Sequence, residues 1–437
     1  MKNTLPELSE AQWGFMAVLD ILGGNSLIEV VGILAPLLPG PLFDLLDKTE
    51  IRGWMKREGD DRLALTKDLP QALQNRLNKI NTRCRLGKLI ERILKENLLE
   101  KIDQTAMILL FEGGGRLTDA SQIGMEQAHQ SLVRGENEIA KNFFQQSLDR
   151  VFDLEDLDAK TLFIQGTLQF SNVCFFLGQS LNEIPRYLHR AQELAGQVGD
   201  RRSHGMINLH FGRLFYVTGL RDKALVAFSL GHEEIKELGD DDIQTQSAAF
   251  IGIYFFMQGK FTEAVNHFEK AEVLYQADSP LNLSVSLTPL FLGYCTIYLG
   301  RFHQAIGSLD LHWRLARERS DWSLATSIRA VLGTVLVLLN NEVEGLQHLK
   351  HAREEAQRHG NSAALHLCGG GIALYYFRQG KLKESFEESK KAMEIASQSG
   401  LVQQFASPWV LELLYEYHRQ GYEPVPYRNY HEVLNRI

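Results

Sequence analysis

From about residue 118 onward, small and apolar residues recur at fixed distances from a set of short turns. A small residue follows each turn by five positions, and a large apolar residue usually follows it by nine. The turns begin at Gly135, Gly219, Gly259, Gly300, Asn340 and Gly380. This pattern predicts pairs of antiparallel α-helices, in which the turn residue ends the first helix in the left-handed conformation.

A second set of small residues lies seven positions before the turns. Its members are Ala128, Gly212, Gly252, Gly293, Gly333 and Ala373. Two helices that face each other with such small residues can approach closely. We expect the large residues nine after the turns, such as Phe228 and Phe268, to fill the space around each crossing.

The turns are spaced by about forty residues, a period typical of stacked helix pairs. A further unit turns at Gly178, with Ser171 seven positions before it and Pro185 in its second helix. We therefore predict seven repeats over residues 118–421, and in residues 422–437 the start of a further helix or a truncated tail. Residues 113–115, three glycines, would form a flexible joint before the array.

These positions carry a resemblance to tetratricopeptide (TPR) repeats. The period is longer than the ordinary thirty-four residues and is similar to the long-helix variety found in the maltose-system transcription activator and its relatives. Residues 194–200, 235–240 and 315–321 match the segments that join repeats in that variety. The resemblance implies an all-α fold, in which helix pairs form a right-handed superhelix, an α-α solenoid.

The first sixty-eight residues follow a different pattern. The pattern predicts three short helices, over residues 9–22, 26–35 and 41–48. It also predicts two β-arms around a Glu-Gly-Asp-Asp turn over residues 51–67. Three helices and a hairpin predict a small winged-helix-like domain over residues 1–68. Residues 69–117 read as a helical linker without the repeat spacing.

Charge limits what this N-terminal region can bind. The whole chain has a net charge of −8, and residues 1–68 contain seven Lys and Arg against eleven Asp and Glu. Contact with phosphates would be unfavourable, so we predict a packing module and no direct nucleic-acid binding. Residues 71–101 are basic, which is typical of a solvated helix face or of a docking surface for an acidic or nucleotide-bearing partner.

The sequence gives no sign of a membrane or of secretion. The apolar run from Leu27 to Leu46 contains Glu29, Asp44, three prolines and two glycines, so two short core helices explain it better than a membrane span. The N-terminus is polar and acidic, and the four cysteines are far apart in sequence. We predict a cytoplasmic protein without disulfides.

An acidic winged helix, a helical linker and long TPR repeats, in this order, resemble the region that follows the ATPase core in signal-transduction ATPases with numerous domains (STAND proteins). In that family the helical repeats sense the inducer. No phosphate-binding loop of the form G-x-x-x-x-G-K-[ST] is present. The resemblance therefore implies an ATPase domain elsewhere in a longer protein or in a separate chain, and a segment cut or descended from such a regulator.

Motifs for chemistry are missing from the sequence. We find no H-E-x-x-H, no G-x-S-x-G and no cluster with metal-ligand spacing, and predict no catalytic residue, no metal and no cofactor. His348, His351 and His359 read as solvated or capping side chains. Asp240 reads as a helix N-cap, and Gly369–Gly371 as close helix packing or a local kink against a ligand.

The remaining candidate site is the inner face of the array. In TPR repeats the residues six, three and two before each turn point inward. The ligand-binding candidates chosen from them are Asn172, Phe176, Arg213, Tyr216, Phe256, Met257, Tyr294, Tyr298 and Arg378. They favour a groove for a peptide, a partner helix or a small-molecule inducer. The alternative is that these side chains pack on neighbouring repeats, and that the chain is a free-standing scaffold for protein–protein interactions.

Overall fold

The computed structural model describes residues 7–51, 53–59, 61–66, 69–177, 179–276 and 283–398, together with Gly421. The predicted turn at Gly178 and the predicted segment 422–437 therefore lie outside the described residues, as do residues 399–420 of the predicted array. Contacts divide the chain into two compact units, residues 1–170 and 171–437, and the division falls within one helix.

The N-terminal part of the first unit combines short helices with a small sheet. Its elements in chain order are α1 (Glu10–Ile21), β1 (Asn25–Leu27), α2 (Ile28–Leu34), α3 (Pro39–Ile51), β2 (Met55–Glu58) and β3 (Arg62–Leu65). Ser9 and Gln12 form a capping box that starts α1. The three helices and the hairpin agree with the sequence pattern, whereas the three-residue strand β1 was not predicted.

The sheet is antiparallel, with β3 between β1 and β2. Leu63 of β3 and Met55 of β2 are fully buried, and Lys56 and Arg57 of β2 are exposed. Ala64, next to Leu63, is buried as well, so the central strand β3 is covered on both faces at this point, whereas the edge strand β2 is largely exposed. The description of residues 1–68 as a winged helix remains a prediction.

The helices of residues 69–117 share a core with this N-terminal region. They are α4 (Gln71–Ile80), α5 (Arg83–Lys95) and α6 (Gln104–Gly113), with a single 3₁₀ turn at Leu99–Lys101. One hydrophobic cluster runs from Trp13 through Leu63, Leu77 and Ile90 to Ala120. The segment read from sequence as a linker is therefore packed through its apolar faces against α1 and the sheet.

Several residues of the basic segment fasten α4 and α5 to α1. The guanidinium of Arg85 donates to the carbonyl oxygen of Gly14 at 2.9 Å, and that of Arg76 lies 5.0 Å from the ring centre of Trp13. Lys101 pairs with Glu29 of α2 at 3.1 Å. These cations act in packing within the unit, in addition to forming a solvated face.

The three glycines at residues 113–115 are packed against α5. A Cβ at Gly113 would lie 2.6 Å from Leu86, and one at Gly114 would lie 2.6 Å from Ile90. Gly115 has a φ of +78°, and a Cβ there would meet the Arg83 guanidinium at 2.2 Å. The prediction of a flexible joint is wrong at this point, because the glycines let the end of α6 approach α5 closely.

No single helix in the described part of the chain is long and apolar enough to cross a membrane. α2 and the first part of α3 together reach that length and composition, but they meet at a bend of 118°. Val30, Val31 and Leu34 of α2 are buried in the core of the first unit. The apolar run at Leu27–Leu46 thus forms two short core helices, as the sequence predicted.

The repeats follow as pairs of consecutive helices. Two first helices, α7 (Leu117–Val133) and α9 (Leu157–Leu177), alternate with the second helices α8 (Asn137–Val151) and α10 (Ile184–Val198). The next pairs are α11 (Arg201–Val217) with α12 (Arg221–Leu238), and α13 (Asp241–Met257) with α14 (Phe261–Gln276). The last are α15 (Thr288–Tyr298) with α16 (Phe302–Glu318), α17 (Trp322–Leu338) with α18 (Glu342–His359), and α19 (Ser362–Arg378) with α20 (Leu382–Gln398).

The close crossings fall where the sequence placed them. A Cβ at Gly212 would lie 2.5 Å from the ring of Phe228, and one at Gly252 would lie 2.6 Å from the ring of Phe268. A Cβ at Gly293 would likewise lie 2.6 Å from Leu309. At these three turns the small residue seven before the turn therefore receives the large residue nine after it, which confirms the predicted geometry.

The turns and caps also follow the prediction. The six turn residues outside Gly178 all have φ between +64° and +82°, including Asn340 at +64°. Asp240 accepts from the backbone N–H groups of Asp242 and Ile243 and so caps α13. Asp200, Asp321 and Asn361 cap α11, α17 and α19 in the same way.

Within the second unit the first helices form an inner layer. α11 contacts α13, α13 contacts α15, α15 contacts α17, and α17 contacts α19. Gly371 of α19 packs tightly on both helices of the preceding pair, because a Cβ there would lie 2.5 Å from Leu349 of α18 and from Thr334 of α17. The Gly369–Gly371 run is therefore explained by packing. The second helices bury one face and leave the other exposed.

Candidate ligand-binding groove

The candidate residues of the inner face differ widely in exposure. Arg213, Tyr216, Met257 and Tyr294 are at most 6% exposed, and Asn172 is 8% exposed. Phe176, Phe256 and Tyr298 are half-buried, and Arg378 is exposed. The candidates six before a turn, Asn172, Arg213 and Tyr294, are all covered. Those three before a turn differ, because Tyr216 is buried and Phe256 is half-buried. The role of the nine residues in ligand binding remains a prediction.

Aromatic side chains connect the central first helices. The rings of Phe256 and Phe291 meet edge to face at 5.3 Å, and those of Phe256 and Tyr298 lie 6.1 Å apart. Tyr298 also stacks on Phe261 at 4.7 Å, and Tyr216 lies 6.3 Å from Phe291. Burial raises the pKa of the Tyr216 and Tyr294 hydroxyls, so both stay neutral. The result is an aromatic layer whose outer edge is Phe256 and Tyr298.

The far end of the inner face is more open. Phe377 of α19 is 37% exposed, and Leu374 and Leu338 are half-buried. Arg378 donates to the side chain of Asn340 and lies 3.5 Å from Glu342, which places its charge beside the preceding turn. Phe377 therefore presents an apolar surface next to a guanidinium that is already paired.

Arg213 is a buried cation held between aromatic rings. Its guanidinium carbon lies 4.8 Å from the ring centre of Phe175 in α9 and 5.7 Å from that of Phe250 in α13. Burial lowers the pKa of Arg213 to about 10, so the group remains charged at neutral pH. Its Nη2 has no hydrogen-bond partner among the described residues. Aromatic faces attract the cation but do not satisfy its N–H donors.

His210, one turn before Arg213 on α11, was not among the sequence candidates. Its ring lies 4.9 Å from that of Phe250 and 6.1 Å from that of Phe175, and the residue is fully buried. Burial, and then the charge of Arg213, lower the pKa of His210 to about 3. The available signal was the spacing of two polar residues three apart on an otherwise apolar helix face.

A separate cleft lies within the first unit, between α7, α8 and the first part of α9. Its volume is about 900 Å³. His129, which the repeat spacing placed on the inner face, lines it and packs edge to face on Phe144 at 5.3 Å. The lining carries more acidic than basic groups, and its one arginine, Arg116, pairs with Asp119 at 2.9 Å. Of the residues that line this cleft, the repeat spacing placed only His129 on the inner face.

The described residues also bear on metal and thiol chemistry. Among them, no three His, Cys, Asp or Glu side chains are grouped so that they could hold a metal ion. None of the four cysteines forms a disulfide in the described part of the chain; Cys84 is exposed, while Cys174, Cys295 and Cys368 are buried. Burial raises the pKa of the Cys295 and Cys368 thiols to about 12, which keeps them in the unreactive protonated form.

Comparison with known proteins gives matches at the level of solved structures. No family model matches the chain, and no curated protein sequence matches it. A STAND protein with a tetratricopeptide-repeat sensor, from Pyrococcus horikoshii, is 14% identical with a TM-score of 0.42. That match covers 97% of this chain and 68% of the other.

Two Rap structures are also similar to this chain. The apo form of RapI is 16% identical with a TM-score of 0.46, and covers 63% of this chain and 97% of its own. A Rap protein complexed with competence and sporulation factor is 11% identical with a TM-score of 0.47, over 70% of this chain and 88% of its own. At such values the fold assignment rests on the helix pairs themselves, which show an all-α helical-repeat fold of the TPR type.

Proposed function

We propose that the chain is a non-catalytic sensing and interaction module of a bacterial STAND-type transcriptional regulator, and that its inner face binds a peptide, a partner helix or a small molecule. The observation that supports this is the strip of partly exposed apolar side chains on successive first helices. The strip consists of Phe256, Tyr298, Leu338, Leu374 and Phe377. Apolar anchors presented at intervals by parallel helices suit an amphipathic helix or an extended peptide.

The packing of the second unit gives this strip a means of signalling. The first helices contact one another directly, so a ligand that lies across several of them favours one spacing of the pairs over another. In a regulator, that change would alter how the repeats pack on an ATPase domain, located in the full-length protein or supplied in trans. We place this module in the cytoplasm, and assign the acidic N-terminal region to packing.

The alternative is a free-standing TPR scaffold that binds a protein partner without a switch. Both functions use the same strip. They differ in whether occupancy changes the array, which hydrogen exchange of the inner helices with and without a bound peptide would report. Altered exchange across several pairs supports the sensor, and protection confined to the contacted residues supports the scaffold.

Peptide binding should depend on Phe256 and Phe377, two accessible rings of the strip. We expect a random-sequence peptide library selected on the protein to yield binders whose affinity falls at least about tenfold in Phe256→Ala and in Phe377→Ala, because each change removes a large apolar contact. Tyr294 is not a suitable position for this test, because the residue is only 6% exposed and replacing it would disrupt the core. Fluorescence anisotropy with the selected peptides measures the affinities.

The matched control is Val343→Ala, which removes an apolar side chain that is 74% exposed on the second helix α18. Peptide affinity should be unchanged in this variant. The proposed function is wrong if the library yields no binder, or if Val343→Ala weakens binding as much as the two strip variants do. Circular dichroism of all three variants verifies that the helices are retained.

A further inference from the structure

The polar groups around α11 lack the partners that buried polar groups normally have. Arg213 is 2% exposed and His210 is fully buried, yet Nη2 of Arg213 and both ring nitrogens of His210 have no hydrogen-bond partner among the described residues. Oδ1 of Asn172, one turn before Phe175 on α9, is unpaired in the same way. Leaving such groups unpaired is costly, most of all for a cation.

Other arginines in the same array show what is missing. Arg329 on the first helix α17 pairs with Glu355 at 3.2 Å, and Arg353 on α18 pairs with Glu388. The first joins the two helices of one pair and the second joins α18 to α20, the second helix of the next pair. Both match the positive charge with a carboxylate. Arg213 instead faces the rings of Phe175 and Phe250 and the imidazole of His210. Within the part of the chain that the structure describes, these surroundings provide stacking and no carboxylate partner for Arg213.

We propose that Arg213 and His210 form a recognition site for one carboxylate group of the molecule that binds the inner face. This inference rests on the proposed function. The guanidinium donates to the carboxylate oxygens, and the imidazole adds one further N–H donor.

The charge of the site selects a carboxylate over a phosphate. His210 stays neutral because burial and the neighbouring Arg213 hold its pKa near 3, so the site carries a single positive charge. One carboxylate neutralises that charge, whereas a phosphate dianion would bring an unmatched negative charge into a buried position. The planar guanidinium also fits a planar carboxylate with two parallel hydrogen bonds.

Burial couples this recognition to the packing of the repeats. Phe175 of α9 and Phe250 of α13 cover Arg213 from the two neighbouring pairs. A carboxylate reaches the guanidinium only when these pairs separate slightly from α11. Binding at this point therefore biases the spacing of three consecutive first helices, which is the change that the sensor function requires.

Simple carboxylates test the site without knowledge of the natural ligand. We expect sodium acetate and sodium benzoate to raise the thermal unfolding temperature of the full chain above that in sodium chloride of equal ionic strength. In Arg213→Met the response to both salts should disappear, and the variant should unfold at a higher temperature than the wild type in chloride, since an unpaired buried charge is gone. Arg213→Lys keeps the positive charge but loses the paired N–H donors of the guanidinium. Its unfolding temperature should therefore rise only slightly in acetate and benzoate.

The matched control is Arg329→Met, which breaks an existing ion pair. It should unfold at a lower temperature than the wild type and keep the full response to acetate and benzoate. The inference is overturned if Arg213→Met responds like the wild type, if the wild type does not respond to either carboxylate, or if it responds to inorganic phosphate and not to carboxylates.

The library-selected peptides separate this inference from the proposed function. Affinity for peptides with a carboxylate side chain or terminus should fall about tenfold or more in Arg213→Met. If peptides bind in a Phe256-dependent manner but Arg213→Met leaves their affinity unchanged, the result supports the proposed groove and contradicts the carboxylate site. If no peptide is selected while the response to acetate depends on Arg213, the result supports the carboxylate site and contradicts the proposed peptide-binding function of the groove.

Discussion

Replacing Gly345 with alanine should destabilise the array strongly. Gly345 of α18 faces Gly333 of α17, and a Cβ on Gly345 would lie 2.7 Å from the Gly333 carbonyl oxygen and 2.9 Å from the backbone nitrogen of Val337. Both contacts are with backbone, so neither can be relieved by rotating a side chain. The helices must move apart, which we expect to cost about 3 kcal/mol of unfolding free energy.

The comparison with other repeats makes this result informative. Ala224, Ala264 and Ala305 occupy the position corresponding to Gly345, five residues after their turns. Sequence alignment of the repeats would therefore rate Gly345→Ala as harmless. The structure predicts the opposite, because α17 and α18 approach more closely than the other pairs do at this point.

Gly307→Ala is the control for the substitution itself. Gly307 lies in the interior of α16, and a Cβ there meets nothing within 4 Å. Alanine should stabilise that helix by up to about 1 kcal/mol. Urea unfolding followed by circular dichroism measures both variants. Equal and small effects of the two substitutions would contradict the close crossing of α17 and α18.

Acid should destabilise the protein through His210. In the folded chain the pKa of His210 is about 3, while in the unfolded chain it has its ordinary value near 6.5. Below pH 6.5 the unfolded chain therefore binds a proton that the folded chain does not. The stability contribution is fully present above pH 6.5 and is lost as the pH falls toward 3. Between pH 7 and pH 5 the loss amounts to about 2 kcal/mol.

His210→Phe removes this proton uptake while keeping a ring between Phe175 and Phe250. Between pH 7 and pH 5 we expect the unfolding free energy of this variant to decrease by about 2 kcal/mol less than that of the wild type. Burial also lowers the pKa of His267, to about 4. Because His267 is present in both proteins, it contributes equally to the pH dependence of their unfolding free energies. Parallel pH profiles of the two proteins would show that His210 is not buried in the neutral form.

The repeat geometry was predictable because it depends on local spacing. Which residues cross, as with Gly252 and Phe268, follows from helix periodicity and from side-chain size, and both can be read from sequence. The left-handed conformation of Asn340 followed in the same way, since it occupies the turn position held by glycine in other repeats.

The inner face was less predictable, because its exposure depends on how closely consecutive pairs approach. The spacing identifies Tyr294 and Phe256 as inward residues, but only the contacts between first helices decide that Tyr294 is covered and Phe256 is partly open. The packing of residues 113–115 depends on Leu86 and Ile90, which are distant in sequence. The residues around 113–115 do not indicate that these are their packing partners. Strand β1 is too short, at three residues, to show an alternating pattern.

The neighbour-to-neighbour packing of the first helices has a mechanical consequence. Because α11 to α19 contact in succession, a load applied along the second unit is transmitted through one inter-pair interface after another. Under tension such an array extends elastically before any pair ruptures, and then fails in steps of one or a few pairs rather than all at once. The closely packed interface where Gly371 meets Leu349 and Thr334 should be among the last to rupture.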